Sequence, residues 1–458
     1  MAAKFPIEVL SQIAEYVSLF DDFSSLKQAA SVSRKWKAAF EPFLYSSLQF
    51  YCTVTHGRAQ QNSISVINRW TSGAAGISRR KMVRQLKCTI RVEYYQPEGD
   101  LTNQKVSSIQ SKNDRGLRII VTSLFDILKT WDSSLSITMH LCVEYIPLKP
   151  RPGNRMHDVV ESIKPPAPVI SIPDVQCIRR LSFEMDQNPR DEPFCILLET
   201  HFDIVRHCTA LDELHIPFLN EGMQKTAGRS VEQERDALAK SLNSLPSSLR
   251  SFSVWHTPLS ALSLLDLGST KDDLLATNMG SLTFRLRYLK LYRAVLAPDF
   301  LFPLDASYNP IDYGRYWPNL ELIQNDQDPG FTTAGEWDLV ETNIVNESTS
   351  PSAENLDRFH RVFISCGHAA RKMPRLATLD FTTGTDSFNG KYSIFRFSND
   401  RSTRTVTATW KSTTGYKPDD RVAKAWGFRL SDMAVAYDAA SATSKIELSP
   451  WPPIKLKI

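Results

Sequence analysis

Apolar residues near the start of the chain recur three and four positions apart, the period of a helix with one buried face. Leu10, Ile13, Ala14 and Val17 form such a stripe behind Pro6, whose fixed φ suits an opening helical turn. Asp21, Asp22 and Ser24 follow with turn and N-cap chemistry, and a second helix is predicted from about Ser24 to Ala30, burying Leu26. A third helix places Val32, Trp36 and Phe40 four apart on one stripe until Pro42 interrupts it. Helices this short are marginal alone, so the three are expected to pack on one another before a strand begins near residue 50.

Further along, the pattern changes to short alternating units in which a pair of apolar residues three apart is followed two positions later by a third. They are Ile178/Leu181/Phe183, Leu211/Leu214/Ile216, Leu249/Phe252/Val254, Leu286/Leu289/Leu291 and Leu376/Leu379/Phe381, with poorer versions at Val83/Leu86/Cys88 and Leu320/Ile323. Each reads as a strand with one buried and one open face, while Phe194 to Cys208 and Val231 to Leu242 have helical character. Strand plus helix, repeated, predicts a stacked, curved parallel sheet. The central residues 181, 214, 252, 289, 323 and 379 lie 33 to 56 positions apart. Regular leucine-rich repeats run roughly 20 to 29 residues, so the expected solenoid is irregular. On such a scaffold the leucines are core, and function falls to the exposed alternates: Arg180, Ser182, Glu213, His215, Ser253, Trp255, Tyr288, Lys290, Tyr292 and Asp380.

Gln96 to Arg115, the proline-rich Lys149 to Pro168, and Glu341 to Glu354 read as loops or insertions. In the tail, Tyr392 to Phe397 and Thr405 to Trp410 alternate like hairpin arms around Ser398 to Arg404. A helix from about Asp419 to Ala436 and a last strand over Lys445 to Leu448 are predicted after them.

The run Phe5-Pro6-x-Glu8-Val9-Leu10-x-x-Ile13-x-x-Tyr16-Val17, followed by Leu26 and Val32-Ser33-Arg34-x-Trp36, resembles an F-box, with Phe5-Pro6 in place of the usual Leu-Pro. The match covers about a tenth of the chain. The resemblance implies helix-in-groove docking on a Skp-type adaptor, with Pro6, Ile7, Val9, Leu10, Ile13 and Trp36 as adaptor-binding residues. Trp36 is also read as a core ring that holds the three helices together. A second resemblance, carried by Met373-Pro374-Arg375-Leu376-x-x-Leu379, the hairpin and Val422-x-x-x-Trp426, is to a family of fungal F-box-associated proteins with no assigned function. Together the two imply a filamentous-fungal origin.

Charge alters this picture little. The 458 residues carry 54 basic and 50 acidic side chains, a net +4, which gives no global footprint for nucleic acid. The cluster Arg79, Arg80, Lys81, Arg84, Lys87 and Arg91 reads as a solvated face, because no aromatics interleave it. Seven scattered cysteines with no C-x-x-C pair signal neither a disulfide framework nor zinc, and fit a reducing compartment. His201 with His207 and Cys208, and Cys366 with His368, lack ligand spacing and read as buried cysteines beside surface histidines. No secretory leader or membrane span is expected, and the Asn346-Glu347-Ser348 sequon carries no weight.

The sequence therefore predicts an α/β (α+β) protein with an F-box-like three-helix module over 1–50. An irregular leucine-rich-repeat-like strand and helix solenoid follows over 51–390, and a C-terminal β-hairpin, helix and strand over 391–458. The expected role is a substrate receptor of a Skp, cullin and F-box ubiquitin ligase in cytoplasm or nucleus. It would bind the adaptor and, through it, cullin, and hold an unknown protein target. No catalytic residue, cofactor or metal ligand is assigned, and neither membrane nor nucleic acid is expected as a partner. Two other classes are a non-ligase structural or interaction protein on the same fold and an enzyme with an unrecognised site.

Overall fold

All seven apolar units fall on strands, and in each the named residues from the central position onward face a core. The computed structural model describes residues 5–18, 23–55, 58–60, 62–95, 103–148, 171–185, 198–219, 231–256, 273–292, 297–325, 353–384, 392–403, 405–412, 416–437, 442–448 and 451. The chain forms two compact units, Met1–Leu211 and Asp212–Ile458. Both are mixed α/β, and among the described residues no helix is long and apolar enough to cross a membrane.

The N-terminal unit opens with α1 (Ile7–Ser18), α2 (Phe23–Val32) and α3 (Arg34–Ser46), which pass directly into β1 (Ser47–Thr55). Then come β2 (Arg58–Gln60), α4 (Asn62–Thr71), α5 (Gly73–Arg80), β3 (Gln85–Tyr95), α6 (Asn103–Leu128), β4 (Ile137–Leu148), β5 (Ile178–Met185) and α7 (Leu198–Arg206). β1, β3, β4 and β5 pair in parallel, and β2 adds an antiparallel edge to β1. Leu48, Leu86, Met139 and Leu181 align across the four parallel strands, so one apolar position recurs at each rung. α6 lies so close to this sheet that a Cβ on its Gly116 would stand 2.4 Å from a Val54 methyl.

The C-terminal unit holds β6 (Glu213–Leu219), α8 (Val231–Leu242), β7 (Ser251–His256), α9 (Leu274–Thr283), β8 (Tyr288–Tyr292), β9 (Leu322–Asn325), α10 (Ala353–Ala370) and β10 (Thr378–Gly384). β6 to β10 are parallel neighbours in chain order, with Leu214, Phe252, Leu289, Ile323 and Leu379 in one register line. At the entrances of β7 to β10 the pattern of backbone bonds repeats. The carbonyl of Asp212 accepts from the N–H groups of Arg250 and Ser251, that of Arg250 from Arg287 and Tyr288, that of Arg287 from Glu321 and Leu322, and that of Glu321 from Ala377 and Thr378. β11 (Tyr392–Asp400) and β12 (Thr405–Ser412) then continue antiparallel. After α11 (Asp420–Trp426), β13 (Ala434–Tyr437) and β14 (Ala442–Glu447) complete the sheet.

Several expectations need correction. β1, which runs through residue 50, pairs with β3, and β11, which starts just past residue 390, pairs directly with β10. Pro42 does not end the third helix. α3 runs on to Ser46 because Phe43 and Leu44 beyond the proline pack on the same core as Phe40. The predicted loop at Gln96 to Arg115 contains the first half of α6, whereas Lys149 to Pro168 lies outside the described residues, as does Glu341 to Glu354 up to the start of α10. Asp21 and Asp22 also lie outside them. The helix expected from Asp419 to Ala436 stops at Trp426. Gly427 takes a left-handed φ of 83°, and its N–H and that of Phe428 both bond to the Ala423 carbonyl. Gly427→Ala is therefore expected to cost about 1–2 kcal/mol, read as a lower denaturation midpoint of the C-terminal unit.

Candidate functional site

The three N-terminal helices divide their apolar residues between two destinations. Leu10, Ala14, Leu26, Ala39 and Phe40 form a closed core, with Val17, Ala29, Ala30, Trp36, Phe43 and Leu44 packed against it. Ser33 caps α3, its hydroxyl accepting from the Trp36 N–H at 3.3 Å, and the Trp36 ring stacks on Phe40 with centroids 5.3 Å apart. The second set stays in solvent: Phe5, Ile7, Ile13, Tyr16 and Val32 are 37 to 64% exposed. A module that has filled its core and still shows five large apolar side chains has apolar surface to offer a partner.

This sorts the six expected adaptor contacts. Pro6, Ile7 and Ile13 are exposed and Val9 is half-buried. Leu10 is corrected, because at 1% exposure it is a core residue that no partner reaches without opening the module. Trp36 is half-buried against the core, so its structural role is the one the geometry supports. Val32 does not share its stripe. It ends α2 and is exposed, a candidate contact that sequence reasoning had placed inside.

In each unit the polar face of the strands forms a second kind of surface. In the N-terminal unit, Glu184 on β5 accepts from Lys87 on β3 at 3.1 Å and pairs with His140 Nδ1 on β4 at 2.7 Å. Burial raises the Glu184 carboxyl, but the bonds from Lys87 and His140 outweigh it and leave its pKa below the ordinary value. Beside this group Arg91 bonds Glu144 at 3.0 Å and covers the Tyr51 ring at 4.7 Å. In the C-terminal unit, His215, Ser253, Lys290, Gln324, Asp380, Arg396, Thr409 and Lys445 form one row across seven pairings, none of them buried. Arg180, Ser182, Glu213 and Tyr288 are likewise open or half-open, as their alternation predicted. The side chains of Trp255 and Tyr292 lie outside the described set.

The basic cluster has a different use from the solvated face expected of it. Arg79 donates to the Trp70 carbonyl at 3.1 Å and stacks on Tyr45 and Trp70. Arg80 donates to the carbonyls of Thr71 and Thr130 and lies over Trp131. These guanidinium groups close the ends of α4 and α6, where carbonyls lack intrahelical partners. The aromatic partners are distant in sequence, which is why no interleaving was visible.

The histidines also differ from expectation. His201 is buried edge-on against Phe183 at 4.6 Å instead of lying at the surface, and His207 pairs with Asp174 at 2.7 Å. His368 is half-buried beside Phe302, and burial, then Arg371 and Lys424, lower its pKa to about 4. The six described cysteines are buried and form no disulfide. Burial raises the thiol of Cys177 to about 11, and those of Cys208 and Cys366 higher still, so none of these three is a poised nucleophile.

No curated protein matches the chain. The family match begins just before β7, covers the parallel strands from β7 to β10, and ends just past β14. It therefore spans a longer stretch than the Met373 to Trp426 motif from which a C-terminal family was read. Residues 244–448 thus carry a domain of a family of unknown function, DUF6546.

Proposed function

We propose that this protein is a substrate-receptor subunit of a Skp, cullin and F-box ubiquitin ligase, with α1 to α3 as an F-box module. The remainder would be an irregular leucine-rich-repeat-like scaffold that presents a captured protein. The observation that carries the reading is the apolar surface of Ile7, Ile13, Tyr16 and Val32, left uncovered once the module has filled its own core. Helix-in-groove partners bury such side chains as their anchors. On this reading the chain performs no bond chemistry, works in cytoplasm or nucleus, and belongs to a fungal family.

The test is co-purification with a Skp-type adaptor and cullin. Ile7→Asp with Ile13→Asp is expected to lose both partners, with adaptor affinity down at least about a hundredfold, while melting as the wild type does. Leu10→Ala should instead lower the melting point of the module, because it empties a core position. Failure of the wild-type chain to retain the adaptor would sink the proposal. Adaptor retained without cullin would leave the non-ligase interaction protein as the better reading.

A further inference from the structure

In the C-terminal unit, the segment from Ala297 to Leu320 is fixed tightly and leaves its tip bare. Trp317 is fully buried, its Nε1–H donating to the Thr283 hydroxyl at 2.7 Å and its backbone N–H to the Lys372 carbonyl at 3.1 Å. Asp305 Oδ1 accepts from the N–H groups of Ser307 and Asn309, both at 2.8 Å, and Asp312 Oδ1 accepts from Gly314 at 2.9 Å. Tyr308 holds a left-handed φ of 65°, the one non-glycine positive φ among the described residues, a conformation kept only where the surroundings fix it. From this frame Ile311, Tyr313 and Tyr316 project with 53 to 66% of their surface exposed. Asp305 and Asp312 are exposed beside them. Arg315 turns inward, donating to the Leu301 carbonyl and lying over Phe284, and forms an ion pair with the exposed Asp312 carboxylate at 3.7 Å.

Elsewhere in the molecule a tyrosine with a neighbouring carboxylate holds a guanidinium on its ring. Arg421 lies 4.4 Å from the Tyr308 centroid and bonds Asp357, which also accepts the Tyr308 hydroxyl. Arg287 lies 5.3 Å from the Tyr288 centroid and shares Glu321 with it. Arg91 lies 4.7 Å from the Tyr51 centroid and bonds Glu144. The tip supplies two tyrosines with the Asp312 carboxylate just ahead of them in sequence, yet among the described residues no arginine or lysine stands over Tyr313 or Tyr316.

We propose that the Ile311, Tyr313 and Tyr316 tip is a docking surface for an extended, arginine-bearing segment of a partner protein. The partner's guanidinium groups would stack on the phenol rings beside Asp312. A protruding tip offers no groove walls for an amphipathic helix. Exposed ring faces next to a carboxylate suit a planar cation, arginine ahead of lysine. The loop is already ordered, so little freedom is lost on binding. The inference stands apart from the ligase proposal, under which the segment would belong to the captured target.

The test is fluorescence anisotropy of the full chain with a labelled decapeptide of alternating arginine and glycine, and with its citrulline counterpart, which keeps the shape and loses the charge. The wild-type chain should bind the arginine peptide and bind the citrulline peptide at least about tenfold more weakly. Tyr313→Ala with Tyr316→Ala should weaken the arginine peptide by about tenfold or more, and Tyr313→Phe with Tyr316→Phe should stay within about twofold, because the rings remain. The Ile7→Asp, Ile13→Asp variant should bind the peptide normally, which separates this result from the adaptor test. No saturation by about 1 mM, equal affinity for the citrulline peptide, or undiminished binding by the folded alanine variant would each overturn the inference.

Discussion

Trp426→Ala is expected to destabilise the C-terminal unit by about 3–5 kcal/mol, the range for deleting a large buried aromatic. Trp426 is fully buried and donates its Nε1–H to the Phe363 carbonyl at 2.9 Å. Its ring meets Phe395 at 5.2 Å, Phe397 at 5.5 Å, Trp451 at 6.0 Å and Trp410 at 6.3 Å, which ties α11 to β11, β12 and the C-terminal residues. Packing is close enough that a Cβ on Gly367 of α10 would stand 2.8 Å from the indole. Trp426→Phe keeps most of the ring and loses the hydrogen bond, so a loss of about 1–2 kcal/mol is expected instead. Denaturant midpoints followed by hydrogen exchange in α10 and β11 provide the measurement. An alanine variant within about 1 kcal/mol of wild type would mean that the aromatic cluster does not hold this unit together.

Acid is expected to weaken the same unit before its carboxylates titrate. Burial, reinforced by Arg371 and Lys424, lowers the His368 pKa to about 4 from 6.5, and burial lowers that of His360 in the same direction. Between those values the unfolded chain binds a proton that the folded chain refuses. The unfolded state thus holds more protons, and stability falls as pH drops from about 6.5 toward 4. At 1.36 kcal/mol per pKa unit, His368 alone accounts for roughly 3 kcal/mol at the low end of the window. Asp305, Asp400 and Asp419, whose pKa values lie below the ordinary one, lose their contribution only at still lower pH, so the two effects separate. Denaturation midpoints from pH 8 to 4 should slope downward for the wild type and flatten in His368→Gln. Parallel slopes would remove His368 as the cause.

Strands were legible wherever a leucine pair three apart preceded a third apolar residue, because the first of the pair closes the turn into the strand and the others alternate inward. β4 was missed for want of that spacing, although Ile137, Met139, Leu141 and Val143 alternate cleanly. The start of α6 was read as loop because its first turns, from Asn103 to Lys112, are mostly polar, and its apolar stripe begins at Leu117. On α1 the sequence carries one apolar stripe, Leu10, Ile13, Ala14 and Val17, with Ile7 at its side. Periodicity cannot say which of these residues face the module's own core, and so Leu10 was grouped with Ile7 and Ile13 although they point to different surroundings. The Tyr313 and Tyr316 tip was illegible for another reason: its exposure depends on the buried Trp317 and on capping by Asp305 and Asp312, a tertiary arrangement with no period.

The paired donation at the entrances of β7 to β10 also bears on how the chain tolerates change. Two adjacent N–H groups lock onto one carbonyl of the preceding strand, so alignment is established anew at each of these entrances and does not depend on the number of residues in between. A long insertion before β9 or β10 leaves the next strand to find the same acceptor, at a closure cost that grows only with the logarithm of its length. Uneven spacing is therefore compatible with even rungs, and connecting segments can diverge in length and chemistry between relatives while the scaffold beneath them keeps its registration.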